Sequence, residues 1–306
     1  MRLFALTPGL FGMAVACLAA APVIPGSPAF SGRLDASLAH ESRAALDRGL
    51  AWLGALQLDD GSWDGADRPD LTALPLLAFA GSPNPSDEPI RRRGLAWLGR
   101  ASTNSAVPVM MFSLLALTRE AATRPELKPL LPGLRDRLAA TPLPSEPRLL
   151  AVRLLALHSL PAPPPALEAT QRLAQVQIAT LTDAAAVLLG LQAAGAARND
   201  PVMWKAFNWM ARHRDAFSPD RYDTLDYEDQ LILALALAQT GENRLPLNDR
   251  TLLAWRPLLA RNLINRQQVD PKTGGLFWKP SDGRSEHDTL AATCYALLTL
   301  QVVLAE

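Results

Sequence analysis

The heptapeptide Arg-Gly-Leu-Ala-Trp-Leu-Gly stands at residues 48–54 and again, unchanged, at 93–99. Identity over that length within one short chain marks a duplicated unit, and a spacing of tens of residues is typical of helical-hairpin arrays. Each copy is followed by a turn region and a second, more apolar helical window, at 70–81 ("DLTALPLLAFAG") and 106–118 ("AVPVMMFSLLALT"). The plan continues more weakly in the paired windows 127–141 and 146–160, 166–179 and 181–195, 201–215 and 225–241, and 250–268 and 286–304. Apolar residues recur at i, i+3 and i+4 in every window, and alternating strand patterns are missing. Many of the 26 prolines fall between windows, where they stop helices.

The two members of a pair differ in kind. The first has a charged face and one apolar stripe; the second is apolar almost all round and is expected to be buried. About six such pairs, an outer helix followed by an inner one, predict an all-α chain closed into a ring, with inner helices around a central cavity. An open solenoid is the alternative. It would expose apolar inner helices at both ends, and no polar capping repeat is visible.

With 306 residues, 49% hydrophobic and 20% charged, the chain can bury a large core, and no low-complexity linker divides it. One domain is expected over 33–306, after a leader at 1–32. Thirty basic and thirty acidic side chains cancel, so no long-range field recruits nucleic acid. The triplet Arg91-Arg92-Arg93 begins an amphipathic window and reads as a solvated helix face. Two cysteines, Cys17 in the leader and Cys294 in an apolar helix, offer no disulfide framework.

Arg2 followed by the apolar run Leu3–Ala21, with small residues at Ser27-Pro28-Ala29, reads as an export signal and predicts an extracytoplasmic (periplasmic or secreted) protein. "AVAC", Ala14–Cys17, is a loose alternative that would lipidate Cys17. The membrane is expected to be met only through the leader or that lipid.

Residues 48–63 carry a more specific pattern: Arg48-Gly49, Trp52, Leu53, Gln57, then Gly61-Ser62-Trp63. This resembles the QW repeat of the terpenoid cyclase/protein prenyltransferase superfamily. Gln267/Gln268 with Gly274, Gly275 and Trp278 form a second, degenerate copy. The resemblance implies an α/α toroid in which these residues are structural. Gln57 is expected to bond helix-end groups, Gly61 to permit the tight turn and Trp63 to pack on the next outer helix. Asp59 and Asp60 read as turn residues; with Asp64 they lack calcium-loop spacing.

Each activity of the superfamily needs its own residues. The prenyltransferases hold zinc through Asp, Cys and His. The segment Thr293-Cys294-Tyr295 resembles their last inner helix, but Ala292 stands where the zinc histidine belongs, His287 is five residues away, and no cysteine stands near Asp226–Glu228. No metal or other cofactor is expected. Cys294 reads as core. The Cys-Gly-Glu-Gln of thioester proteins is absent. Class II cyclases carry Asp-x-Asp-Asp at the start of an inner helix, its middle acid protonating an alkene or epoxide. Here Asp226-x-Glu228-Asp229 is similarly placed, with a glutamate at the proton-donating position.

Asp226, Glu228 and Asp229 are therefore the candidate catalytic set. They read equally as first-turn acids favoured by the helix dipole. Tyr222, Tyr227, Phe277, Trp278, His287 and Asp288 are candidates for the cavity rim. Low aromatic content argues against a cyclase, whose cations need aromatic faces. The expectation is a non-catalytic exported toroid that binds or scaffolds a lipid, isoprenoid or peptide. The alternatives are a cyclase-type enzyme with Glu228 as acid, or a carboxylate-dependent polysaccharide-active enzyme.

Overall fold

The computed structural model describes residues 32–64, 70–80, 82, 84–101, 106–160, 166–218, 225–247, 251–280 and 286–305. The leader, with Cys17 and its cleavage and lipidation signals, lies outside them. The described residues are mostly helical. Twelve α-helices follow in order: α1 Ala36–Ala55, α2 Asp70–Phe79, α3 Glu88–Ala101, α4 Val107–Glu120, α5 Leu130–Ala140, α6 Pro147–His158, α7 Leu167–Ala174, α8 Leu181–Ala193, α9 Pro201–Arg212, α10 Tyr227–Gln239, α11 Trp255–Arg266 and α12 Glu286–Leu304. None is long and apolar enough to cross a membrane.

Four short strands form two antiparallel hairpins, β1 Arg244–Pro246 with β2 Leu252–Ala254, and β3 Gln268–Val269 with β4 Leu276–Phe277. Strands this short cannot show the alternation by which a sequence announces a strand, which is why none was expected.

Burial alternates along the chain. In α8 everything from Ala184 to Leu191 is buried, and in α10 everything from Gln230 to Ala238. On α7 only Ala169 and Leu173 are, and on α9 only Met203, Ala206 and Met210. One-stripe helices thus cover helices that are apolar on every side. The even-numbered helices pack in succession, α2 on α4, α4 on α6, α6 on α8, α8 on α10 and α10 on α12; α12 also packs on α2 and α1. Polar pairs fix their direction. Gln301 near the end of α12 donates to the Ala78 carbonyl near the end of α2 and accepts from Arg119 near the end of α4. Buried arginines close other helix ends: Arg153 donates to the carbonyls of Ala139, Thr141 and Pro142, and Arg256 to those of Val302 and Val303.

The QW-like residues build one joint twice. Trp63 donates its indole N–H to the Leu53 carbonyl in the last turn of α1 (2.7 Å), and its backbone N–H bonds the Thr72 hydroxyl on α2 (3.3 Å). Trp278 does the same with Leu263 of α11 (2.8 Å) and Thr293 of α12 (3.0 Å). Each indole ties an outer helix end to the inner helix that follows it.

The next outer helix then docks on that turn. Arg93 of α3 donates to Gln57 Oε1, while Gln57 Nε2 donates to the Gly61 and Ile90 carbonyls. Trp97 lies beside the Asp60 carboxylate, which caps Ser62, and Arg100 donates to the Asp60 carbonyl. In the same way Arg48 of α1 donates to the Gly274 carbonyl, and Trp52 to Asp270. Gly49 and Gly94 mark equivalent close approaches. A Cβ at Gly94 would lie 2.6 Å from Leu76 and 3.1 Å from Trp63; at Gly49, 2.5 Å from Leu297 and 3.2 Å from Trp278. So α1 meets the turn after α11 as α3 meets the turn after α1.

Two outcomes follow. Trp63→Phe and Trp278→Phe each keep a ring but remove the indole donor to a helix-end carbonyl, so urea unfolding should show comparable losses of about 0.5–1.5 kcal/mol. Gly61 has φ +95°, and a Cβ there would stand 2.4 Å from the Arg93 carbonyl oxygen. Gly61→Ala should therefore cost at least as much, whereas Gly99→Ala, with open space around it, should be neutral or stabilising.

Candidate functional site

Helix α10 starts at Tyr227, with Asp226 at its N-cap position and Glu228 and Asp229 in its first turn. The Asp226 carboxylate makes no capping bond to the helix. The acids of this turn are instead organised from outside by an arginine. Arg148, in the first turn of α6, puts Nη1 3.0 Å from Asp229 Oδ1 and 3.9 Å from Glu228 Oε2. Its Nε donates to Glu146 Oε1 at 2.7 Å, and its Nη2 reaches the same oxygen. Thr182, in the first turn of α8, faces Asp229 and favours its charged form. The starts of α6, α8 and α10 thus meet in one polar cluster. It forms because inner helices separated by outer returns run the same way, which gathers their N-termini, and carboxylates with them, at one end.

Glu228 faces inward as well. It lines a cavity whose other described walls are Leu77 of α2, Phe112 and Leu115 of α4, Val152 and Leu155 of α6, Leu231, Ile232 and Leu235 of α10, and Tyr295 and Leu298 of α12. Five inner helices contribute, and Glu228 is the one charged residue among these walls. Phe112 and Tyr295 meet edge to face with centroids 6.1 Å apart. The space open to water is about 30 Å³, which is room for a water or two, or a methylene or two.

These surroundings set the acidity. Burial is the largest influence on Glu228 and pushes its carboxyl up to about 7; Arg148 opposes this, and Asp229, Glu146 and Asp226 reinforce it. Burial also raises Asp229, against its bond to Arg148. Near neutral pH the apolar cavity therefore has a wall acid close to half-protonated. It can donate a hydrogen bond or a proton to a guest, or hold a cation.

The remaining candidates lie elsewhere. Tyr227 is buried beneath the Arg266 guanidinium, 4.2 Å from its ring centroid, and is not among the cavity walls. Phe277 stacks on Trp52 at 5.4 Å, with Lys279 over its ring. Trp278 is fully buried in the joint between α11 and α12. None of these three is among the described walls of that cavity: Tyr227 lies against α11, Phe277 against α1, and Trp278 between α11 and α12. Asp288 is half-buried in the first turn of α12. Tyr222 and the His287 side chain lie outside the described residues. Cys294 is fully buried, and burial raises its thiol well above the ordinary range, so it is an inert core residue. Among the described residues no three His, Cys, Asp or Glu side chains converge as a metal site would require.

The residues that sequence reasoning missed are Arg148, Glu146, Phe112 and Tyr295. A signal existed for the first two: "EPR" opens an otherwise apolar inner window, and charges there must face a polar end. Nothing in sequence spacing ties residue 148 to residue 229. Comparison of the chain with family models, curated proteins and solved structures gives no match.

The Glu228 environment makes a stability prediction. In the fold its pKa is raised above the ordinary 4.5, so the fold holds that proton more tightly than the unfolded chain. The cost of ionising it is absent below about pH 4.5 and complete above pH 7. Glu228→Gln should raise stability at pH 8 by up to about 3 kcal/mol and change it little at pH 4, read from denaturant midpoints at the two pH values.

Proposed function

We propose that this chain is a closed α/α toroid of the terpenoid cyclase/prenyltransferase kind that works outside the cytoplasm as a non-catalytic binding module. Its ligand would insert a slender apolar group, a lipid or isoprenoid chain end or a peptide side chain, beside Glu228. Support for closure comes from the equivalence of the two joints, since α1 uses Arg48, Gly49 and Trp52 on the last turn as α3 uses Arg93, Gly94 and Trp97 on the first. The extracytoplasmic setting rests on the leader-like run Leu3–Ala21.

The observation that carries the binding reading is the cavity itself: apolar walls from five inner helices, one acid, and about 30 Å³ of free space. That space takes a water-sized group or two, which suits a chain end and not a whole polyprene. Cyclisation has to enclose the whole reacting chain away from water, whereas binding has to admit only an end. Arg148 is a further argument, because it engages Asp229 and sits beside Glu228, pulling both toward the ionised form.

A second reading, an acid-initiated cyclase, is favoured by one observation: Glu228 is the wall acid and its carboxyl is raised to about 7. Two measurements separate the readings. Native mass spectrometry of protein purified from its own membrane and periplasmic fractions should show a retained apolar ligand. Incubation with squalene or polyprenyl substrates between pH 5 and 8 should give no product. Turnover that disappears in Glu228→Gln would overturn the binding reading. An apolar guest disfavours the charged wall acid, so its affinity should fall as pH rises through 7, by up to about tenfold per pH unit. In Glu228→Gln that dependence should be lost.

A further inference from the structure

A second and larger cavity, of about 230 Å³, shares no described wall residue with the Glu228 cavity and lies in a cleft between outer helix α1 and the segment leading into α3. One wall is a single face of α1, since Asp47, Leu50 and Ala51 fall at i, i+3 and i+4. The other comes from the 3₁₀ turn Pro85–Asp87 and the first turn of α3, where Asp87 and Ile90 stand at i and i+3.

The chemistry of these walls is one-sided. Asp87 is 8% exposed, and the Ser82 hydroxyl bonds its Oδ2 at 2.5 Å. No other donor and no cation reaches its side chain among the described residues. Asp47 has no ion-pair partner among them either. The nearest arginine along α3, Arg91, is already held by Glu88 and Glu120. Ser86, at the same cleft, commits its backbone N–H to Asn84 and leaves its hydroxyl without a protein partner among the described residues. A carboxylate buried to this degree, with one hydroxyl donor and a helix N-terminus beside it but no countercharge, can accept a cationic partner. Its cleft also holds a second carboxylate and an apolar strip.

We propose that this cleft is a binding site for a small organic cation, an alkylammonium whose head lies against Asp87 and Asp47 and whose hydrocarbon body lies along Leu50, Ala51 and Ile90. An ammonium supplies both the missing charge and the missing donors, for Asp87 and for the Ser86 hydroxyl. An anion is repelled by both acids. A metal ion lacks a third ligating acid, histidine or cysteine among the described residues. A neutral polyol would bring donors but no countercharge and would leave the apolar strip uncovered. The site is independent of the central cavity, and the proposal stands or falls separately from the toroid's ligand.

The test is calorimetric titration of the full chain with n-butylammonium chloride, beside 1-butanol (same body, no charge), sodium butyrate (opposite charge) and glucose. Saturable binding of n-butylammonium is expected, at least about tenfold tighter than 1-butanol, with no binding of butyrate or glucose. Asp47→Asn, on an exposed side chain that does not support the fold, should weaken it at least about fivefold, with the circular dichroism spectrum unchanged. Glu228→Gln should leave it unaltered, which separates this site from the central one. Equal affinity for 1-butanol, binding of glucose in preference to the amine, indifference to Asp47→Asn, or no saturation by about 50 mM amine would each overturn the proposal.

Discussion

The hydrogen bond from a turn indole to the last carbonyl-rich turn of the helix before it is the hinge on which this architecture rests. A hairpin of two helices needs a reason to keep one crossing geometry. Trp63 supplies it by bonding α1 through its ring and α2 through its backbone, and Trp278 repeats this between α11 and α12. The indole is suited to the task because its large apolar body fills the space between helices while its single donor satisfies a group the helix end leaves open. Once the turn is fixed, its glutamine, aspartate and glycine carbonyls form a socket, and the next outer helix enters with arginine and tryptophan.

Much of this was readable from sequence because the joint is local. Arg48 to Trp63 contains its own turn, cap and anchor within sixteen positions, and the copy at 93–99 announces the partner surface. The paired helical windows were legible for a related reason: burial on all sides produces a continuous apolar run, and burial on one side produces a stripe. What sequence could not supply was the lateral assembly. Arg148 and Asp229 are 81 positions apart and Leu77 and Tyr295 farther still, yet they share a cluster or a cavity wall. Aromatic type does not mark the cavity by itself: Phe112 and Tyr295 line it, whereas Phe277 and Trp278 are spent on the outer joint.

The inner end of the chain shows how a conventional feature acquires chemistry. Carboxylates in a helix's first turn are ordinary. Here several such turns are brought together and one acid, Glu228, is rotated from the solvated end toward an apolar wall. Its acidity is then set by competition between burial and the single guanidinium of Arg148. The arginine cannot satisfy all its neighbours: Glu146 and Asp229 take its direct bonds, and Glu228 is left at 3.9 Å. The residue left over by the ion-pair cluster is the one facing the cavity.

The bond between Arg48 and the Gly274 carbonyl spans 226 positions of chain. Its counterpart between Arg93 and Gln57 spans 36. The two contacts are alike in space and unlike in time. During synthesis the socket for α3 is complete almost as soon as α3 emerges, but α1 waits for those 226 further positions before its own socket exists. Closing so long a loop is entropically slow to achieve and adds to the mean sequence separation that governs folding rate. Helix α1 is therefore among the last of the described helices to find its final neighbours. A nascent chain carries its uncovered glycine–tryptophan face until the turn after α11 arrives to cover it.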